Sequence, residues 1–296
     1  MSGEATSKVG LEMRIPSPLQ VLDDDRLAGH AVKLYLKRDD LIHPDMPGNK
    51  WRKLKYNLQR ASDERHRCLL TFGGAYSNHI RATAAAGHYY GFSTIGVIRG
   101  EEHLPLNEVL TDAVRFGMQL AYMDRVTYWR KAGPEVEAAL REQFGEFYLI
   151  PEGGSNGLAV GGCAELPSEI GEPFDVICCA CGTGGTLAGI AVGLPPGRRA
   201  IGFSAVKGGD FLRQDVRRLQ EAYGRSTTNW SIETDYHFGG FARRSTYLDH
   251  FISDFRDRHG FELDWVYVAK MLYGVFHLVS AGTFARNTTI VAVVTG

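Results

Sequence analysis

Neither sign of charge is in excess in this 296-residue chain: 33 Lys and Arg face 34 Asp and Glu, a formal net charge of -1. A neutral balance argues against nucleic acid or an anionic membrane as partner. Long apolar runs are missing too. No stretch of about 18 apolar residues occurs, so no membrane-spanning helix is expected, and the opening MSGEATSKVG lacks the apolar centre of a signal peptide. A cytoplasmic location is the expectation that follows. Cysteines are few, at Cys68, Cys163, Cys178, Cys179 and Cys181. Their odd number without a secretion signal argues for reduced, buried thiols. Cys179-x-Cys181 is too tight for a zinc pair and no second ligand pair follows, so no metal is expected. Repeats and low-complexity segments are absent. So are His-Glu-x-x-His, a Gly-x-Ser-x-Gly elbow and a Walker loop. These absences favour chemistry supplied by a bound cofactor, which the protein positions and tunes.

Short apolar runs alternating with helical patterns make up most of the sequence. AVKLYLKRD, RCLLTFGG, STIGVIRG, MQLAYMD, EFYLIPEGG, FDVICCACG, AIGFSAVKG and TTIVAVVTG read as strands. Between them NHIRATAAAGHYYG, LNEVLTDAVRFG, GPEVEAALREQFG, TLAGIAVGL, GDFLRQDVRRLQEAYG and STYLDHFISDFRDRHG read as helices, many ended by glycine. The alternation predicts an α/β protein with open, doubly wound, mainly parallel sheets; an eightfold barrel is the competing architecture. The length suits about two domains.

Three segments stand out chemically. In PDMPGNKWRKL a helix begins with Asn49 as the expected N-cap, and Trp51, Leu54, Leu58 and Ala61 form one apolar stripe. Its first turn carries Lys50, Arg52 and Lys53, where the unpaired N–H groups already present positive charge. Either these cations point into water, or an anion sits there and one lysine is wanted neutral. FDVICCACGTGGTLAG runs a buried strand through Gly182, Thr183, Gly184, Gly185 and Thr186 into a helix. Such a loop suits a phosphomonoester better than a dinucleotide, since the third glycine of the dinucleotide fingerprint is missing. TFGGAYSNHIRATAAAG sets Ser77, Asn78 and His79 at a helix start, as a plain N-cap or as a carboxylate-binding corner. PEGGSNGLAVGG, DYHFGGFARRS and LDWVYVAKMLYG have no self-evident mechanism. PEGGSN reads as a tight turn, and Tyr267 is a core aromatic or an active-site phenol.

In order, KRDDL…GNKWRKL, TFGGAYSNHIRATAAAG, IPEGGSN, CGTGGTLAG and LDWVYVAKMLYG resemble the 1-aminocyclopropane-1-carboxylate (ACC) deaminase / D-cysteine desulfhydrase family over nearly the whole chain. The resemblance implies a pyridoxal 5′-phosphate (PLP) enzyme of the tryptophan-synthase β-like fold, with two open, twisted, mainly parallel sheets flanked by helices. It implies that Lys50 is the lysine linked to the cofactor. Lys53 would lie near the phosphate with Gly182, Thr183, Gly184, Gly185 and Thr186. Ser77, Asn78 and His79 would hold the substrate carboxylate, with Asn78 also near the cofactor's phenolic oxygen. Tyr267 would be an active-site tyrosine. A large domain of residues 1–53 and 151–296, a small domain of residues 54–150 and a homodimer or higher homo-oligomer are also expected.

The sequence departs from the family in four places. Val268 stands where the deaminases carry a Glu against the pyridine nitrogen, and Trp265 stands where the family shows Pro. Thr295 keeps the C-terminal threonine that desulfhydrase-like members set near that nitrogen, but the preceding His is absent. The sequence ends at Gly296, where relatives continue. Without the Glu, the expected reaction is β-elimination of a small amino acid, D-cysteine to pyruvate, sulfide and ammonia. Lys50 would be the base, with Tyr267 or Ser77 assisting proton transfer. ACC deamination to 2-oxobutanoate, a PLP-binding protein of little turnover and a non-enzymatic anion-binding module are the alternatives.

Overall fold

The computed structural model describes residues 12–295; the stretch MSGEATSKVG, expected to hold no signal peptide, and Gly296 lie outside the described residues. Among the described residues ten strands form: β1 (Leu19–Leu22), β2 (Lys33–Arg38), β3 (Cys68–Gly73), β4 (Ser93–Arg99), β5 (Met118–Met123), β6 (Tyr148–Ile150), β7 (Val176–Cys181), β8 (Arg199–Ser204), β9 (Trp230–Glu233) and β10 (Thr289–Val294). They build two open sheets, so the eightfold barrel is excluded. The larger has the order β1-β2-β10-β7-β8-β9 and the smaller β5-β4-β3-β6. Every pairing is parallel except β1 with β2 at one edge.

Strand alternation explains how one apolar run serves two faces of the large sheet. Val176, Cys178 and Ala180 of β7 join Ile290, Ala292 and Val294 of β10 in one core. Ile177, Cys179 and Cys181 join Val291 and Val293 in the core on the opposite face. Parallel sheets covered on both sides need such uninterrupted apolar strands. All five cysteines carry free thiols, and four are buried as small core residues. Among the described residues, no helix is long and apolar enough to cross a membrane.

All eight strands and all seven helices read from the sequence, the one that begins in PDMPGNKWRKL included, are present. The strands that periodicity missed, β1 and β9, are four-residue sheet edges with mixed exposure. An edge strand has a neighbour on one side only and little apolar pattern to reveal it. The helices Gly157–Cys163 and Val268–Ser280 were also unassigned. The first is hidden by its glycines, which close packing requires: a Cβ at Gly162 would lie 1.9 Å from the Arg52 carbonyl oxygen.

The helix Asn49–Asp63 joins the two sheets. Its first residues meet the end of β10, while Leu54, Leu58 and Ala61 pack with Leu69, Ala82, Ala85 and Ile150 beside the small sheet. Trp51, the remaining member of the expected stripe, is only half-buried and stacks on Tyr90. The expected domain boundary after residue 53 falls inside this helix.

Candidate active site

At the carboxyl ends of β7 and β10 the chain turns sharply and brings three segments together. After β7, Gly184 adopts φ +75° and caps the helix Gly185–Gly193 with no side-chain hydrogen bond, leaving the first N–H groups directed at the loop. After β10 comes Thr295, and against its carbonyl lies Gly48, which caps the helix Asn49–Asp63 at φ +62°. A Cβ at Gly48 would sit 1.7 Å from the Thr295 oxygen, so only glycine fits. The expected cap, Asn49, is instead the first helical residue. Its side chain is used elsewhere: Nδ2 donates to Thr186 Oγ1 at 2.7 Å, and Oδ1 accepts from Lys50 Nζ at 2.9 Å.

The three cations of this first turn part company. Arg52 is buried away from the glycine loop and paired with two carboxylates, at 2.7 Å to Asp39 and 2.7 Å to Glu169. It awaits neither water nor a ligand anion, a correction to both readings of the sequence. Lys53 is equally buried but meets only neutral oxygens: Gly153 O at 3.2 Å, Ser155 Oγ at 3.1 Å and Thr183 Oγ1 at 3.5 Å. A Cβ at Gly185 would lie 3.2 Å from Lys53 Nζ and 2.6 Å from Ser155 Oγ, so amine, hydroxyl and bare backbone share one cradle. Burial pulls the Lys53 ammonium below its ordinary range, and an arriving anion would restore it. Burial, aided by the charge of Lys53, brings Lys50 down to about 7.

Ser77 is the N-cap of the helix Asn78–Tyr90, its Oγ accepting from Ile80 N at 3.4 Å. Ser77 and Asn78 are half-buried, whereas the His79 imidazole is sealed inside. Thr71 Oγ1 gives its proton to Ile150 O at 2.8 Å, so it accepts from His79 Nε2 at 2.8 Å. That fixes the tautomer and leaves Nδ1 a bare, buried acceptor without a partner among the described residues, facing Gly154. Burial and the charges of Lys50 and Lys53 hold this imidazole neutral, well below the usual histidine range. The same electrostatic coupling ties the Ser77–His79 turn to the lysine pair.

Tyr267 precedes the helix Val268–Ser280, where the Asp264 carboxylate accepts from the N–H groups of Val266, Tyr267 and Val268. Its ring covers the glycine loop: a Cβ at Gly182 would lie 3.1 Å from Tyr267 Cε1 and 3.3 Å from the hydroxyl. Burial, with Asp264 and Glu152 nearby, raises the phenol pKa, so it stays protonated at neutral pH. Val268 is fully buried in the core and places no carboxylate here; Trp265 lies under the Arg244 guanidinium.

Gly48, Asn49, Ser155, Gly153 and Asp264 also shape the site, and the sequence reading assigned none of them a part in it. Their only advance signal was position, in the turn before Lys50, after a short strand in PEGGSN and just before Tyr267. The cradle fits a PLP group: a depressed lysine amine, a buried cation lacking a carboxylate partner among the described residues, and a glycine–threonine loop at a helix N-terminus. The Lys50 amine is neutral above its pKa and protonated below it. Capture of PLP by cofactor-free protein, followed by stopped-flow absorbance, is therefore expected to rise about tenfold per pH unit up to a midpoint near pH 7, then level off. Lys53→Met should move the midpoint upward by removing a like charge. A wild-type midpoint near the ordinary lysine value of 10.5 would contradict this arrangement.

Residues 13–296 match the family model described as pyridoxal-phosphate dependent enzyme. A Pyrococcus furiosus protein provisionally named 1-aminocyclopropane-1-carboxylate deaminase is 33% identical over 287 residues, covering 92% of this chain and 87% of that protein. The mitochondrial bifunctional D-cysteine desulfhydrase/1-aminocyclopropane-1-carboxylate deaminase of Arabidopsis thaliana is 28% identical over 85% of this chain and 68% of its own length. Among solved structures, an ACC deaminase homologue superposes with a TM-score of 0.80 at 28% identity, covering 95% of this chain and 89% of that one. The chain belongs to the pyridoxal-phosphate dependent enzymes, and PLP is its cofactor.

Proposed function

We propose that this enzyme is a D-cysteine desulfhydrase, converting D-cysteine and water to pyruvate, sulfide and ammonia. The observation that carries the site assignment is the half-neutral Lys50 amine beside Lys53, whose partners are neutral oxygens on the glycine–threonine loop. When bound through Lys50, PLP supplies the electron sink that makes the α-proton of an amino acid removable. Lys50, as a free amine, would be the base for that proton. Lys53 and the segment Gly182, Thr183, Gly184, Gly185 and Thr186 hold the phosphate. Ser77 and Asn78 hold the substrate carboxylate. His79 supports their turn from within the core, its imidazole turned from solvent to Thr71 and Gly154. Tyr267, or Ser77, delivers the proton the departing sulfur needs, and the raised phenol pKa suits Tyr267 to donate. Thr295 would be the neutral partner of the cofactor's ring nitrogen.

Val268 favours elimination over cyclopropane opening, because a buried valine cannot hold the ring nitrogen protonated as a carboxylate would. Elimination of a thiol needs less electron withdrawal. Residues 1–53 and 151–296 form the PLP-binding unit in this reading, and residues 54–150 the unit that brings the Ser77–Asn78 turn over it. The enzyme acts in the cytoplasm as a homodimer. Purified enzyme assayed in parallel is expected to release sulfide from D-cysteine at least about tenfold faster than 2-oxobutanoate from ACC. A preference for ACC would reverse the substrate assignment, and neither product would indicate a PLP-binding protein of little turnover.

A further inference from the structure

Lys270 is fully buried, one helical turn beyond Tyr267, and among the described residues it forms no ion pair. Its ammonium donates instead to two carbonyls of one loop, His237 O at 3.0 Å and Gly240 O at 2.8 Å. Those oxygens also accept backbone N–H groups, His237 O from Gly240 at 3.1 Å and Gly240 O from Arg243 at 3.2 Å. The loop takes a path that neutral chain chemistry disfavours. Phe238 and Ala242, neither of them glycine, adopt φ of +52° and +50°, and Gly239 and Gly240 adopt +93° and +120°. Left-handed backbone at non-glycine residues persists only where the surroundings impose it. Two contacts do so here: the ammonium, and the Phe238 ring set edge-on against Tyr273 at 4.9 Å between centroids.

The imposed path has one consequence at the site. Phe241, 47% exposed, is placed edge-on to Tyr267 with ring centroids 5.8 Å apart. Tyr267 in turn covers Gly182 of the phosphate loop. We propose that Lys270 is a positioning residue whose ammonium holds the 237–243 loop so that Phe241 walls the open side of the Tyr267 cleft and confines the substrate side chain. The proposal rests on the assignment of Tyr267 to the active site made above. The ammonium suits this task because it carries three N–H donors, and bonds from a charged donor are stronger than those from a neutral one.

Lys270→Met keeps the length of the side chain and removes its donors. The exposed Arg243 and Arg244 follow the pinned carbonyls, so trypsin cleavage after them reads loop release directly. In the PLP-loaded enzyme, Lys270→Met is expected to speed that cleavage about tenfold and to raise KM for D-cysteine about tenfold, with a much smaller change in kcat. Phe241→Ala should raise KM to the same extent without changing the cleavage rate, and the double variant should show no further rise. Unchanged cleavage in Lys270→Met, or KM effects that multiply in the double variant, would overturn the proposal. If Lys270→Met does not fold, Phe241→Ala alone decides, and an unchanged KM rejects it. Should the wild-type enzyme turn over no D-cysteine, the functional reading fails by itself, and the cleavage rates still decide whether Lys270 holds the loop.

Discussion

Lys50→Ala is expected to abolish the visible absorbance band of lysine-linked PLP and to lower turnover by at least about a thousandfold. The size of the effect follows from the two tasks of one amine. In the proposed site Lys50 would both carry the cofactor and serve as the base for the α-proton, so its loss would remove attachment and base together. Its neighbours make the amine reactive: burial and the charge of Lys53 bring it to about 7, so half is neutral at that pH. Lys53→Ala provides the contrast. It removes the cation among Gly153 O, Ser155 Oγ and Thr183 Oγ1, and should weaken PLP affinity while leaving the band in place at saturation. An unshifted band in Lys50→Ala would remove Lys50 from its assigned role. Near-UV circular dichroism of the variant would show that the fold persists.

Arg52→Met is expected to produce the largest loss of stability, about 3–5 kcal/mol, because it leaves the buried Asp39 carboxylate without its ion-pair partner and Glu169 with Lys37 alone. Arg52 spans two of them, donating to Asp39 at 2.7 and 2.9 Å and to Glu169 at 2.7 and 2.8 Å. Lys37, also fully buried, reaches Glu169 at 3.2 Å, and Ser17 donates to Asp39 at 2.6 Å, so the loss propagates through a connected network. In thermal denaturation this predicts a fall in Tm of about 5–10 °C or more for a chain of this size. Burial alone would raise the Glu169 carboxyl, but the hydrogen bonds and charge of Arg52, with Lys37, hold it below its ordinary value. A carboxyl depressed in the folded state contributes stability above its unfolded value and loses it as pH falls. The stability gap between wild type and variant should therefore be full near neutrality and shrink below about pH 4.5. Arg52→Lys should recover only part of the loss, since one ammonium cannot form both bidentate pairs. A variant as stable as wild type at pH 7 would show that the network contributes no net stability.

This network marks where sequence reasoning stopped. The residues around Lys50 announced a helix with an excess of cations at its start, and the helix Asn49–Asp63 is present. Which of the three faced the site depended on partners 13 and 117 residues away for Arg52, and 100 to 130 away for Lys53. Local pattern carries no information about such pairings. His79 shows the same limit: an imidazole at a helix start read as part of a carboxylate-binding corner, but Thr71 and Gly154 enclose it. Asn49 read as a cap because caps favour Asn, yet the close approach of Thr295 reserved that position for Gly48.

Sequence by itself determined the alternation of strands and helices, the apolar runs of β7 and β10, and the glycine–threonine loop between strand and helix. These depend on periodicity and on backbone freedom, which are properties of adjacent residues. Its ordered motifs also pointed to the family and the cofactor. Tertiary structure decided the edge strands, the glycine-packed helix Gly157–Cys163 and the separate fates of Lys50, Arg52 and Lys53. It also decided the tautomer of His79 and the hold of Lys270 on the loop beside Tyr267. Each of those is set by burial and by a partner distant in the chain, and so exists only once the two sheets and their connecting helix have come together.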